Sequence, residues 1–411
     1  MALTLHYDFA SDKSLAARAG PTLSLIRNTD ATYVDNTGLI ATASSNEARF
    51  THDPVSNESL GLLSEEARTN LCLYSEDLSN AAWVASNVTK GGDSVTAPDG
   101  AANTAVRLTA SDANGTVLQS ITSASANRSY AVYIKRVTGT GDIDLTVDGG
   151  STWTTVTLTA SWQRFDIQQT SVTNPQVGVR IVTDTDAIDF WGAQLEVGDF
   201  PLSYIPTVGS TVTRNGDEAS SSDMSFYNTD EGSVYTDSVT RFASSSAPPR
   251  QFEFSLTTSN YVRLDVQPGN DRARFAVRAS ASENAVSANS SVVSDTRAQI
   301  AGYYNVSGGI VAVSVDGATA VEDTLTGTAP NPNRLNVAAG RNGSSPLNGP
   351  IKELRYYDTQ VTVAELESMS NGVFPVEDET FYLEVQRRQA ANLGNRPAPF
   401  KPGRRGGLRD L

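Results

Sequence analysis

The chain has 411 residues, room for two or three domains, and its 31 Lys and Arg against 46 Asp and Glu leave a formal charge of −15. Such acidity argues against a body that seeks nucleic acid or anionic membrane. Cys72 is the only cysteine and His6 and His52 the only histidines, which excludes an intrachain disulfide and Cys-rich zinc sites and leaves one small region for any His-based hydrolase.

A metal, if bound, is expected to be a hard cation held by oxygen, structural Ca²⁺ foremost, and no other cofactor is expected. Glycosidase chemistry survives, because it needs only two carboxylates. Hydrophobic residues make up 39%, and the rest is rich in Ser, Thr, Asn, Asp and Gly, a mixture suited to turn-rich β structure. The first residues lack a cationic stretch followed by an apolar core, so no secretory signal is expected, only synthesis in a cytoplasm. No apolar run approaches the ~18 residues of a membrane-spanning helix.

In chain order, residues 1–70 are polar and irregular, with short apolar pieces at 23–26 and 38–41, and Ser64 is placed to cap one helical turn. They read as a docking arm without its own core. Residues 71–207 alternate at period two in the sets Tyr130/Val132/Ile134, Ile143/Leu145/Val147, Val177/Val179/Ile181 and Ile188/Phe190. That pattern predicts a β-sandwich of the jelly-roll kind, with turns at Asp99-Gly100 and Asp148-Gly149. Residues 208–224 are small and polar and read as a linker. Residues 225–371 repeat the pattern in Phe252/Phe254, Val262/Leu264/Val266, Phe275/Val277 and Val311/Val313/Val315, a second sandwich. A capping box at Thr362 and Glu365 predicts a short helix after Thr362. The expected fold class is therefore all-β, two tandem sandwiches.

Residues 372–411 change character. From 385 onward seven cations face one acid, leaving 24 basic against 45 acidic residues, −21, on the remainder. Arg396, Phe400, Lys401, Arg404 and Arg405, among Pro397, Pro399 and Pro402, suit an extended assembly peptide that docks on an acidic partner surface. A solvated tail is the other reading, and DNA contact would be salt-sensitive and sequence-blind.

Three segments, RNTDATYVDNTG at 27–38, NEARFTHD at 46–53 and GLLSEEARTNL at 61–71, together resemble the opening of many tailed-phage virion proteins of the head-fibre and tail-fibre type. WGAQLEVG at 191–198 followed by SYIPT at 203–207 looks like the closing strand of the carbohydrate-binding jelly roll common in such proteins. Residues 335–367 are similar to the last strands of concanavalin A-like or laminin-G-like sandwiches. The first resemblance covers about 215 residues; the tail resembles no family. It implies a virion-borne adhesin holding host-surface polysaccharide, anchored to other virion proteins through the arm and the basic tail, and released by lysis without an export signal. A homotrimer is expected, because an arm lacking its own core needs neighbouring chains.

Candidate sugar-contacting residues follow. Trp153, among Ser and Thr after a Gly-Gly turn, is the tryptophan best placed to stack on a pyranose, whereas Trp162 and Trp191 read as core. Tyr133 alternates against Val132 and Ile134 and can open into a cleft. Gln194 and Glu196 flank Leu195 on the opposite strand face, where they suit sugar hydroxyls or are plain solvated surface. Arg180 and Asp189 are of the same kind and weaker. In the second sandwich Tyr261, Arg263 and Asp265 share one strand face near a turn carrying Arg341 and Asn342, as a glycan site or a cross-strand charge pair. A polysaccharide depolymerase, glycosidase or lyase, on the same scaffold and a decoration or connector protein touching only other virion subunits are the alternative readings; no Glu-x-Asp-x-x-Glu run occurs in 225–371, which favours binding over catalysis, and no catalytic residue is nominated.

Overall fold

The computed structural model describes residues 1–243, 246–279 and 282–375, so the basic tail with Arg396, Phe400, Lys401, Arg404 and Arg405 lies outside the described residues. Strands dominate, arranged in antiparallel sheets that pair face to face. The expected all-β class is what forms.

The first sandwich holds two five-stranded sheets. Ala187–Val197 is central to one, flanked by Ala126–Thr138 and Ala105–Ala110; Gln176–Ile181 is central to the other, between Ile143–Thr146 and Gly115–Ser120. All four period-two sets meet in its core, each side chain essentially out of water. Alternation in each strand sends one set inward, so a short segment suffices to reveal its buried face.

The second sandwich packs an eight-stranded sheet on a seven-stranded one. Phe252, Phe254, Val262, Leu264, Phe275, Val313 and Val337 fill the space between. The helix Val363–Met369 carries the expected capping box, with Thr362 Oγ1 accepting from the Glu365 amide and Glu365 Oε2 accepting from the Thr362 amide.

Residues 1–70 are not an arm. Leu3–Asp8 pairs with Gly349–Tyr357, Ser24–Ile26 with Glu218–Ser221, and Ser59–Ser64 with the start of the same edge of Gly349–Tyr357, whose opposite edge is lined by Glu231–Thr240. Leu5, Tyr7, Phe9, Leu23 and Leu62 lie in the second sandwich's core. The polar segment is stabilised by partners more than 150 residues away, so no neighbouring chain is needed to bury it, and that argument for a trimer falls. Ser64 ends a strand and donates to the Ala338 carbonyl instead of capping a helix. Residues 208–224 are likewise built in: Val212–Arg214 pairs with Arg68–Asn70, and Glu218–Ser221 joins the seven-stranded sheet. The first sandwich is thus an insertion into the second.

A buried ionic cluster fixes that insertion. Arg49 reaches Glu65 Oε2 at 2.8 Å and Asp217 Oδ2 at 2.5 Å, while Arg27 holds Asp217 Oδ1 at 2.9 Å. Arg214 lies 3.2 Å from Glu65, and Ser203, after the last strand of the first sandwich, donates to Glu65 through Oγ (2.6 Å) and amide (2.8 Å). Burial alone would raise Glu65, but Arg214 and Arg49 outweigh it and hold the carboxyl well below its usual range. The 27–38, 46–53, 61–71 and 203–207 segments supply most of these groups.

Candidate functional site

The outer face of the seven-stranded sheet gathers most of the second sandwich's expected site residues. Along Asn260–Gln267, Val262 and Leu264 point to the core, leaving Tyr261, Arg263 and Asp265 on the other face. Register sets Glu253 opposite Arg263 and Ser255 opposite Tyr261 on one side, with Arg278 opposite Tyr261 and Arg274 opposite Asp265 on the other.

These groups tie together laterally. Asp265 receives Arg263 at 2.7 Å and Arg274 at 2.8 Å; Arg274 also reaches Glu283 at 2.6 Å. The Arg263 guanidinium lies 4.1 Å from the centre of the Tyr261 ring, a cation–π contact, and Tyr261 donates to Glu283 at 2.6 Å. Burial pushes the Tyr261 phenol up, so it stays a donor at neutral pH. Glu253 sits 2.7 Å from Arg250 and accepts from the Arg341 amide at 3.0 Å.

The turn Arg341–Gly343 therefore does lie beside this face. Arg341 Nη1 donates to Asn333 Oδ1 at 3.0 Å and to the Ser255 carbonyl at 3.3 Å. Asn342 is exposed, with φ at 61°, a left-handed turn position that Asn tolerates. Arg274, Arg278 and Glu253 were not singled out from sequence. The arginines alternate with Phe275 and Val277 at period two, which marked their face, but only register shows that they adjoin Tyr261 and Asp265. Tyr261, Arg263, Asp265 and Glu253 are themselves buried, so chemically the face offers the half-buried guanidinium groups of Arg274, Arg278 and Arg341 and the exposed Asn342, with the carboxylates already bound to arginine.

In the first sandwich the candidates scatter. Trp153 is half-buried, with the Arg180 guanidinium 4.5 Å from its ring centre, and Arg180 is held by Asp144 at 2.6 Å. Gln194 and Glu196 are fully buried, contrary to a solvent-facing sugar site. Gln194 Nε2 donates to Glu196 Oε1 (2.8 Å), Gln194 Oε1 accepts from the Ile205 amide (2.6 Å), and Glu196 Oε2 accepts from Leu202 (3.0 Å). They pin the 199–206 loop, so local alternation identified the correct face but not what covers it. Burial raises Glu196 to about 7 against the attraction of Arg68, Arg164 and Arg214. Asp189 is buried against Arg107 at 2.8 Å. Trp191 is core as expected; Trp162 is half-buried at the surface, beneath Lys135 at 4.9 Å. Tyr133 lies against Trp191 and Tyr204 and opens on a cleft between the sandwiches. Among the described residues no group of three or more His, Cys, Asp or Glu is placed to hold a metal ion, and no helix is long and apolar enough to cross a membrane.

Residues 214–367 match the model of the concanavalin A-like lectin/glucanases superfamily, of laminin-G type. Most of the second sandwich is thus similar to concanavalin A-like, laminin-G lectin-type domains. Among solved structures, the chain is similar to the Ruminococcus gnavus IT-sialidase CBM40 bound to α2,3-sialyllactose, at 10% identity over 35% of this chain and 83% of that one, with a TM-score of 0.31. It is similar also to mouse laminin α1 domains LG4-5, at 12% identity over 65% and 95%, TM-score 0.27. The K499G mutant of NanB sialidase from Streptococcus pneumoniae shares 12% identity over 37% of this chain and 26% of that one, TM-score 0.32. No curated protein matches the chain.

Proposed function

We propose that this chain is a non-catalytic phage virion adhesin, and that its lectin-type domain holds host-surface polysaccharide on the arginine-rich face around Tyr261, Arg263 and Arg341. The observation that carries this reading is the convergence of these residues on one sheet face of a domain matching the lectin/glucanase model. Virion placement rests on the resemblance of residues 1–215 to fibre proteins. Display in several copies, as a homotrimer, would supply the avidity that one shallow site lacks. Docking to other virion proteins falls in this reading to the basic tail.

Arg341→Ala should weaken glycan-array binding by about ten-fold, the worth of one charge-assisted hydrogen bond, and Trp153→Ala should weaken it only if the first sandwich also engages sugar. Unchanged binding by Arg341→Ala would move the site off this face. Polysaccharide cleavage is the second reading, because the superfamily spans lectins and glucanases. Against it, Asp265 and Glu253 are each held by arginine, whereas an acid/base pair needs one carboxyl free to give up a proton. Release of reducing ends from host polysaccharide by the purified chain would establish the depolymerase.

A further inference from the structure

Between the two sandwiches lies a half-open cleft of about 180 Å³, with Tyr133 and Arg164 on one wall, Tyr33 on the N-terminal hairpin, and Arg241, Asp295 and Asn348 on the other. It is smaller than the roughly 300–1,000 Å³ that drug-sized ligands occupy, and large enough for a single sugar ring.

Its charges do not balance. Arg241 is bound by Asp295 at 2.6 Å and donates to the Pro201 carbonyl at 2.6 Å, so it is already satisfied. Glu65 is bound by Arg49, Arg214 and Ser203. Arg164 has no ion pair among the described residues. Its Nε and Nη2 are shut from solvent without a hydrogen-bond partner, and its guanidinium rests 5.6 Å from the centre of the Tyr133 ring. Glu196 attracts it without an ion pair or hydrogen bond, and two unpartnered N–H groups on this half-buried cation are a standing cost that an incoming anion offsets. Asn348 Oδ1 is occupied by the Glu66 amide, leaving its NH₂ to donate.

We propose that this cleft is a second saccharide site, specific for an anionic sugar whose carboxylate or sulfate lies against Arg164 while ring hydroxyls meet Asn348 and the tyrosines. It stands apart from the sheet face assigned above and does not depend on that reading.

The test uses the full chain, with sodium glucuronate, glucose 6-sulfate, glucose and inorganic phosphate as probes, read by calorimetric titration. Glucuronate or the sulfated sugar should bind at least ten-fold more tightly than glucose, and binding should weaken as salt rises. Which of the two binds tells carboxylate from sulfate. Arg164→Gln should abolish the preference, and Arg164→Lys should retain part of it. Should Arg164→Gln fail to fold, as judged by circular dichroism, Arg164→Lys and Asn348→Ala carry the comparison. Equal binding of glucose and glucuronate, a preference that persists without Arg164, or phosphate binding as tightly as either acidic sugar would overturn the proposal.

Discussion

Replacing Arg49 by methionine should destabilise the chain by about 3–5 kcal/mol, the cost of removing one partner from a buried ion cluster. Arg49 is fully buried and joins Glu65 to Asp217; without it Arg27 and Arg214 remain, but each reaches chiefly one of the two acids. The loss appears as a lower urea midpoint. It also appears as faster amide exchange at Ser203 and Ile205, whose amides are tied to Glu65 and Gln194. A midpoint shift worth under about 1 kcal/mol, in the range of exposed pairs, would mean the cluster does not hold the insertion.

Stability should fall as pH rises from about 4.5 to 7, in proportion to the proton on Glu196. Burial raises this carboxyl from 4.5 to about 7 in the folded chain, so the native state binds more protons across that window than the unfolded state. The contribution is whole below the unfolded value and lost by neutral pH, roughly 3 kcal/mol in all. Glu196→Gln should flatten this part of the pH profile, although losing one acceptor to Gln194 or Leu202 lowers the curve as a whole. A variant with the parent's slope would show that Glu196 is ionised throughout. The Glu65 effect has the opposite sign: its depressed value contributes stability that is lost on acidification below the ordinary carboxylate range.

The two cores were legible because alternation is local. Val262, Leu264 and Val266 declare their shared face within five residues, and so do Tyr130, Val132 and Ile134. Tyr261, Arg263 and Asp265 follow as the opposite face with no further information. The capping box at Thr362 is equally local, since both its hydrogen bonds close within three residues.

What the sequence by itself determined, then, is the all-β class, the inward face of each strand, and the polar face where ligand chemistry collects. The tertiary structure alone decided what covers each face. Leu5 and Tyr7 are too few to announce a core, and they gain one only because Gly349–Tyr357 pairs beside them. Gln194 and Glu196 alternate as solvated residues would, yet the loop bearing Leu202, Ser203 and Ile205 closes over them. Arg164 and Tyr133 become neighbours through register, and the cleft they line exists only where one sandwich is inserted into the other. Period and capping act over a few residues, whereas these contacts join strands and loops that chain entropy keeps apart until the whole core condenses.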